Sequence, residues 1–199
     1  MVGAGASGLA AAAALRRRGR AAVVLERDER VGERWASRYD RLRLHTVRRF
    51  SGLPYRPLPR SYPRYVPKDL FARYLAEYAA ALELDVRTGV TVTEVVPDGD
   101  GWVVRAARED VLARAVVVAT GRHNEPFLPA WQGQDAFRGR LLHSEAYRSG
   151  KEFAGRRVLV VGLGNSGAEI AADLVETDAA WRTHDDAVDC GEYADAACE

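Results

Sequence analysis

The sequence predicts an α/β fold that contains two Rossmann-like units, the second of them truncated. Two segments carry this prediction, because each has the glycine pattern GxGxxG and continues into residues of helical composition: 2–11 and 161–170. The second pattern follows Arg157–Val161, whose valine and leucine side chains are typical of a parallel strand buried on both faces. A strand, a glycine-rich turn and a helix in this order predict a dinucleotide-binding site.

The first unit is predicted to continue from its glycine pattern through a helix over 6–18 and a strand over 21–25 to Glu26. Gly3 and Glu26 are 23 residues apart, close to the spacing at which an acid accepts hydrogen bonds from a ribose. Only two residues precede Gly3, whereas at least four apolar residues precede Gly162. By this internal comparison, we expect the chain to lack about three residues of its first strand. The alternative is that both glycine patterns are tight turns with a steric role only.

Shorter elements are predicted between the two glycine patterns. The residues from Pro67 to about Leu82 predict a helix, because their apolar side chains recur at helical spacing. A hairpin is predicted from strands at 90–96 and 102–105, and a further apolar strand at 115–120. These residues form the predicted apolar face of the helix: Phe71, Tyr74, Leu75 and Tyr78.

The composition predicts a folded protein that does not enter a membrane. The chain has 199 residues, 47% of them hydrophobic and 29% charged, which excludes the collagen-like and disordered classes. No run approaches the ~18 apolar residues of a membrane helix, and the first residues lack the positive charges of a signal peptide. The two cysteines, Cys190 and Cys198, cannot form a disulfide framework, and no metal site is indicated. We therefore expect a cytoplasmic protein without a membrane partner.

The charge is unevenly distributed along the chain. Residues 176–199 hold eight acids and one base, a net charge of −7, whereas residues 1–175 hold 28 bases and 20 acids, a net charge of +8. A basic body is compatible with nucleic-acid binding. The bases are scattered, however, and three of them close the first helix, where cations suit the helix dipole. No nucleic-acid partner is therefore expected.

Three further motifs carry a family resemblance. The stretch 137–147 reads FRGRLLHSEAY and fits the fingerprint FxGxxxHxxxY at every fixed position. Together with ATG at 119–121 and GNSGAEIA at 164–171, it resembles the flavin-containing monooxygenases, and among them the auxin-synthesis-like branch and its bacterial relatives. Tyr147 favours this class over the related Baeyer–Villiger monooxygenases, which usually have tryptophan at that position. The absence of a CxxxxC pair after the first helix argues against the disulfide-reductase branch.

The resemblance implies FAD and NADPH as cofactors, with O2 and a small organic molecule as substrates. It implies that NADPH reduces FAD and that a C4a-hydroperoxide of the flavin oxygenates the substrate, so no catalytic side chain is indicated. His143 is expected to be structural, and Arg122 and Asn124 are further candidates for cofactor contact. The candidate cofactor-binding residues are Gly3, Gly5, Ser7, Gly8, Glu26, Trp35, His45, Thr46, Thr120 and Gly121 for FAD, and Gly162, Gly164, Asn165, Ser166 and Gly167 for NADPH.

The predicted organisation is an FAD-binding domain over 1–150, the start of an NADPH-binding domain over 155–176, and an acidic tail over 177–199. Because 180–190 contains no run of four apolar residues, we expect no further strand of the NADPH domain there. Two hypotheses follow: an active flavin-dependent monooxygenase, or an inactive truncated fragment of one. Another FAD- and NAD(P)-dependent oxidoreductase, such as a Baeyer–Villiger monooxygenase, stays as an alternative.

Overall fold

The computed structural model describes residues 1–107, 109–122 and 125–177, together with the backbone of 180–184. The chain divides into two compact units. The first unit comprises Met1–Ser37 and Arg43–Asn124, and the second comprises Arg38–Leu42 and the residues from Glu125 onward. The five residues Arg38–Leu42 therefore belong to the second unit although they lie early in the sequence.

In each unit, two parallel strands are connected through helices, as in an α/β protein. The helices are α1 (Ala6–Arg17), α2 (Glu33–Ala36), α3 (Lys68–Ala81) and α4 (Asn165–Glu176), and short 3-10 turns cover Arg48–Phe50, Gln134–Ala136 and Gly150–Phe153. The strands are β1 (Val23–Leu25), β2 (Asp85–Arg87), β3 (Val92–Asp98), β4 (Gly101–Ala106), β5 (Val111–Ala113), β6 (Arg157–Val161) and β7 (Ala180–His184).

Parallel pairing in the first unit brings the glycine pattern to the middle of a small sheet. Strand β1 pairs with β2, and on its other side Val2 forms parallel bridges with both Leu25 and Val118. The first strand is therefore present as a short central segment. The strand predicted over 115–120 was too long, because there the structure assigns only the bridge at Val118, held by an N–H···O bond of 2.8 Å from Ala119 to Val2.

The core of the first unit is formed by α1 and α3. The predicted apolar face of α3 is confirmed, since Phe71, Tyr74, Leu75 and Tyr78 are each at most 4% exposed. Leu9 of α1 packs in the same cluster and is fully buried. Helix α1 is rich in alanine, the best helix former. These contacts hold the helix that follows the first glycine pattern firmly in place.

The predicted hairpin is confirmed as part of a three-stranded antiparallel sheet in the order β3-β4-β5. Strand β3 extends two residues further than expected, through Pro97 and Asp98, and the chain turns at Gly99, whose φ is 55°. Strands β2 and β5 were not predicted. Each is only three residues long, and such short runs do not show a recognisable alternation of apolar and polar residues.

In the second unit, β6 and β7 form a parallel pair in which Val158 lies opposite Trp181 and Val160 opposite Thr183. The expectation of no strand within 180–190 was therefore wrong for Ala180–His184. The pairing depends on backbone hydrogen bonds, and these five residues precede the first two acids of the segment, Asp185 and Asp186. Residues 185–199 lie outside the described part of the chain. Within that described part, no helix is both long and apolar enough to cross a membrane.

Candidate dinucleotide-binding sites

The two glycine patterns have the same backbone geometry. The first glycine of each has a left-handed φ, 101° at Gly3 and 98° at Gly162, which L-residues with a side chain rarely adopt. The second glycine of each, Gly5 and Gly164, is the N-cap of the following helix and has an extended backbone, with φ of −71° and −67° and ψ of −179° and 179°. The internal repeat seen in the sequence is therefore a structural repeat.

The third glycine of each pattern lies against the first. A Cβ atom added to Gly8 would overlap the carbonyl oxygen of Gly3, and one added to Gly167 would overlap that of Gly162. By contrast, a Cβ added to Gly5 or Gly164 would meet no atom within 4 Å. Each turn is thus tightly packed at its third glycine, whereas the space next to its second glycine, the N-cap of the helix, is open.

The open side of each turn is the N-terminus of a 12-residue helix, α1 or α4. The N-cap residue of each helix is a glycine, which has no side chain to cap the first N–H groups, and neither helix has an acidic residue in its first turn. Unpaired N–H groups and the positive end of the helix dipole attract anions. Each turn therefore offers an anion the backbone donors that a pyrophosphate requires.

Glu26 lies directly after β1, next to the first turn. Its Oε2 accepts a hydrogen bond of 2.6 Å from the N–H of Ala4, and its Oε1 accepts one of 3.1 Å from Asp28. Burial, followed by the charge of Glu26, raises the pKa of the Asp28 carboxyl. The Glu26 carboxylate is half-buried and keeps further lone pairs, so it can still accept hydrogen bonds from a ribose.

The candidate residues for contact with a flavin ring, Trp35, His45 and Thr46, differ in their exposure to solvent. Trp35 packs edge-on against Phe71, with ring centroids 4.8 Å apart. His45 and Thr46 are exposed, and the Thr46 hydroxyl lies 2.6 Å from that of Ser51. Trp35 is therefore attached to the core, whereas His45 and Thr46 are accessible to a ligand.

The ATG segment passes close to the first turn. A Cβ on Gly3 would lie 2.5 Å from the carbonyl oxygen of Ala119, so only glycine fits there. Thr120 and Gly121 follow and are exposed, as is Arg122, and Gly121 has a φ of 90°. Asn124 lies outside the described residues. The structure thus brings Gly3 and Thr120 together.

In the second unit, Asn165 and Ser166 begin α4 and are exposed. The Ser166 hydroxyl hydrogen-bonds the phenol of Tyr39, which in turn donates a 2.6 Å hydrogen bond to Oε2 of Glu169. Burial, and then this hydrogen bond to Glu169, raises the pKa of Tyr39. A residue of the Arg38–Leu42 segment therefore contacts the helix of the second glycine pattern.

The FxGxxxHxxxY fingerprint also reaches α4. The hydroxyl of Tyr147 donates a hydrogen bond of 2.6 Å to Oδ2 of Asp173, and burial followed by this contact raises its pKa. His143 accepts a hydrogen bond of 3.1 Å at Nδ1 from the N–H of Glu145, which is compatible with a structural role.

Sequence reasoning missed Tyr39, Arg41 and Asp173. A signal for Asp173 was available, because the acids at 169, 173 and 176 recur on one face of a helix, beside its apolar residues. Carboxylates at the edge of a buried face need hydrogen-bond partners. Nothing in the sequence indicates that Tyr39 and Arg41 supply them.

Comparison with known proteins agrees with this geometry. Residues 1–188 match the family described as pyridine nucleotide-disulphide oxidoreductase. The chain is 49% identical over 178 residues to an indole-3-pyruvate monooxygenase of Oryza sativa, YUCCA1, which covers 87% of this chain and 44% of that protein. It therefore spans less than half the length of this relative.

Two solved structures share the fold. A flavin-containing monooxygenase from Stenotrophomonas maltophilia superimposes with a TM-score of 0.86 at 35% identity, over 93% of this chain and 57% of that one. The OTEMO protein in complex with FAD and NADP superimposes with a TM-score of 0.74 at 26% identity, over 92% of this chain and 37% of that one. These matches confirm the resemblance to the flavin-containing monooxygenases and to their N-terminal portion.

Proposed function

We propose that this chain, which belongs to the pyridine nucleotide-disulphide oxidoreductase family, forms the dinucleotide-binding part of a flavin-dependent monooxygenase. The observation that carries the proposal is the repeated turn, closed at its third glycine and open at its second. At Gly5 and at Gly164, a ligand can approach the backbone where a side chain would otherwise project. Two such sites in one chain fit an enzyme that transfers electrons between two dinucleotides.

We assign FAD to the first unit. Gly3, Gly5, Ser7 and Gly8 would hold its pyrophosphate at the start of α1, and Glu26 would accept hydrogen bonds from its ribose. Thr120 and Gly121 would pass beside the same cofactor, and Trp35, His45 and Thr46 are the candidates near its flavin ring. When bound, FAD supplies the redox and oxygen chemistry, and the chain's own residues bind it, orient it and keep water away.

We assign NADPH to the second unit. Gly162, Gly164 and Gly167 would let its pyrophosphate approach the N-terminus of α4, where Asn165 and Ser166 are exposed. The substrates would be O2 and a small organic molecule, and the relative named as an indole-3-pyruvate monooxygenase points to a 2-oxo acid. A cytoplasmic location and the domain boundaries at 150, 155 and 176 stay predictions.

A pair of valine variants tests the assignment of both cofactors. Because Gly5 and Gly164 have extended backbones and open space in front of them, Gly5→Val and Gly164→Val are expected to fold. Gly5→Val should abolish FAD binding and leave NADPH binding unchanged, and Gly164→Val should do the reverse. Titration of each purified variant with each dinucleotide measures both. Unchanged NADPH affinity in Gly164→Val, or loss of both cofactors in either folded variant, would contradict the assignment.

A further inference from the structure

Helix α4 carries three carboxylates on one face, at positions 169, 173 and 176, and each has a partner outside the helix. Glu169 accepts from Tyr39 at 2.6 Å, and Asp173 accepts from Tyr147 at 2.6 Å. Glu176 lies 2.5 Å from the guanidinium of Arg41, which is also 3.9 Å from Asp173. The carboxylates are spaced by four and three residues, so they form a continuous stripe along the helix.

The two tyrosine partners of this stripe are buried and packed against each other. Tyr39 and Tyr147 are 5% and 3% exposed, and their rings meet edge-on with centroids 6.3 Å apart. Tyr147 also stacks on Phe153 at 5.7 Å. Buried aromatic rings in contact with each other have few alternative positions. The hydroxyl groups that reach α4 are therefore fixed in place.

Asp173 is the centre of this network. Its Oδ2 accepts a second hydrogen bond, of 2.7 Å, from the N–H of Gly150. A Cβ on Gly150 would overlap the Thr177 hydroxyl, so the backbone at Gly150 lies close to the end of α4. One carboxylate thus joins the fingerprint tyrosine, the 3-10 turn that begins at Gly150, and the helix.

The first turn of the same helix is the proposed pyrophosphate site. Backbone N–H groups bind an anion well only when the helix points at it, so a small rotation of α4 would weaken the site. Tyr39 contacts both Ser166 in the first turn and Glu169 one turn later. The stripe and the proposed dinucleotide site therefore belong to one rigid helix.

We propose that Tyr39, Arg41 and Tyr147 are positioning residues that fix α4 through its three carboxylates and thereby set the affinity of the second dinucleotide site. The identity of the ligand, NADPH, rests on the proposed function, whereas the contacts that hold α4 are independent of it. It gives the last tyrosine of the FxGxxxHxxxY fingerprint a role that phenylalanine cannot fill, because the hydroxyl makes the contact.

The test uses the full chain and the variants Tyr39→Phe and Tyr147→Phe. Each keeps its ring and loses one hydroxyl, so we expect NADPH affinity to fall roughly three- to thirtyfold with FAD affinity unchanged. Amide hydrogen exchange across 165–176 should accelerate in the same variants. The matched control is Tyr78→Phe in the first unit, which removes a partly buried hydrogen bond of 2.9 Å from the Tyr78 hydroxyl to the carbonyl oxygen of Pro54. It should leave NADPH affinity and the exchange of α4 unchanged.

Two variants of Asp173 separate positioning from general destabilisation. Asn accepts hydrogen bonds from Tyr147 and Gly150 as Asp does, so Asp173→Asn should stay within about threefold of the parent's NADPH affinity, whereas Asp173→Leu should not. Equal affinity for parent, Tyr147→Phe and Asp173→Leu would overturn the inference, as would unchanged exchange of α4 in both tyrosine variants. If the parent itself fails to bind NADPH, the proposed function fails, and the exchange measurement still decides whether these residues hold the helix.

Discussion

The carboxylate of Glu26 accepts a hydrogen bond of 2.6 Å from the backbone N–H of Ala4, inside the first glycine pattern. One side chain therefore connects the end of β1 with the turn that precedes α1. The same residue is the expected acceptor for a ribose. Glu26 therefore holds the turn, and we propose that it also binds the cofactor.

Replacing Glu26 by alanine is expected to weaken FAD binding by about 1.5–3 kcal/mol, the usual contribution of a hydrogen bond to a charged group. Glu26→Gln keeps one carbonyl acceptor and should lose less. Flavin titration measures both. Glu77→Ala, which removes an exposed acid from α3 in the same unit, serves as the control and should bind FAD as the parent does. Equal affinity for Glu26→Ala and the parent would remove Glu26 from the site.

Alanine is expected to change the free energy of unfolding at the third glycine of each pattern but hardly at the second. Helix propensity alone would make Gly8→Ala and Gly167→Ala stabilising by about 1 kcal/mol. The added Cβ overlaps a backbone carbonyl, however, and the backbone must shift, so we expect a net loss of about 1–3 kcal/mol. Gly5→Ala and Gly164→Ala should stay within about 0.5 kcal/mol of the parent. Urea unfolding compares the four variants, and a Gly8→Ala protein more stable than the parent would show that the steric argument is wrong.

Most of the fold could be predicted because its signals are local. The turns at Gly3 and Gly162 need glycine for reasons of backbone geometry, and α3 buries side chains at helical spacing. Strand β7 was missed because its place depends on pairing with β6, which no property of Ala180–His184 alone reveals. The ladder is made by backbone N–H and C=O groups, which polar residues supply as well as apolar ones.

The candidate sites were predictable only in part, for a related reason. The left-handed φ at Gly3 and Gly162 and the close approach at Gly8 and Gly167 require glycine, and this requirement leaves a pattern in the sequence, so both turns were found. Tyr39 and Glu169 are 130 positions apart in the sequence, and Tyr147 and Asp173 are 26 apart, so each pair meets only in the folded chain. Hydrogen bonds between distant side chains have no periodicity, and Tyr39 has no neighbour in sequence that marks it as a partner of α4.

The buried phenol of Tyr78 predicts a loss of stability in alkali. Burial, and then the nearby Tyr74 and Tyr55, raises its pKa from 10.0 to about 12. A raised pKa means that the folded state favours the neutral phenol, so this stabilisation is complete below pH 10.0 and is lost as the pH rises to about 12. Below pH 10.0, Tyr78→Phe should be less stable than the parent by about 1 kcal/mol, because it lacks the hydrogen bond to Pro54. Between pH 10.0 and about 12, its free energy of unfolding should fall less than that of the parent. Unfolding in urea across this pH range measures both, with Tyr65→Phe, at a residue that is 44% exposed, as the control. An identical pH profile for parent and Tyr78→Phe would contradict the assignment.

The parallel pair β6–β7 can be tested with proline at two adjacent positions. In a parallel ladder, alternate residues of a strand direct their N–H groups to opposite sides, so only one of Arg182 and Thr183 donates toward β6. Among the described residues, β7 pairs with β6 alone. Proline removes an N–H donor and is tolerated where that donor does not take part in the hydrogen bonds of the ladder.

One of Arg182→Pro and Thr183→Pro should therefore destabilise the second unit by about 1–3 kcal/mol and accelerate amide exchange in β6, while the other should have a smaller effect. The register places Leu159 and Val160 opposite these two positions, so their amides report the change most directly. If both proline variants leave the exchange of β6 as it is in the parent, Ala180–His184 does not pair with β6 in solution.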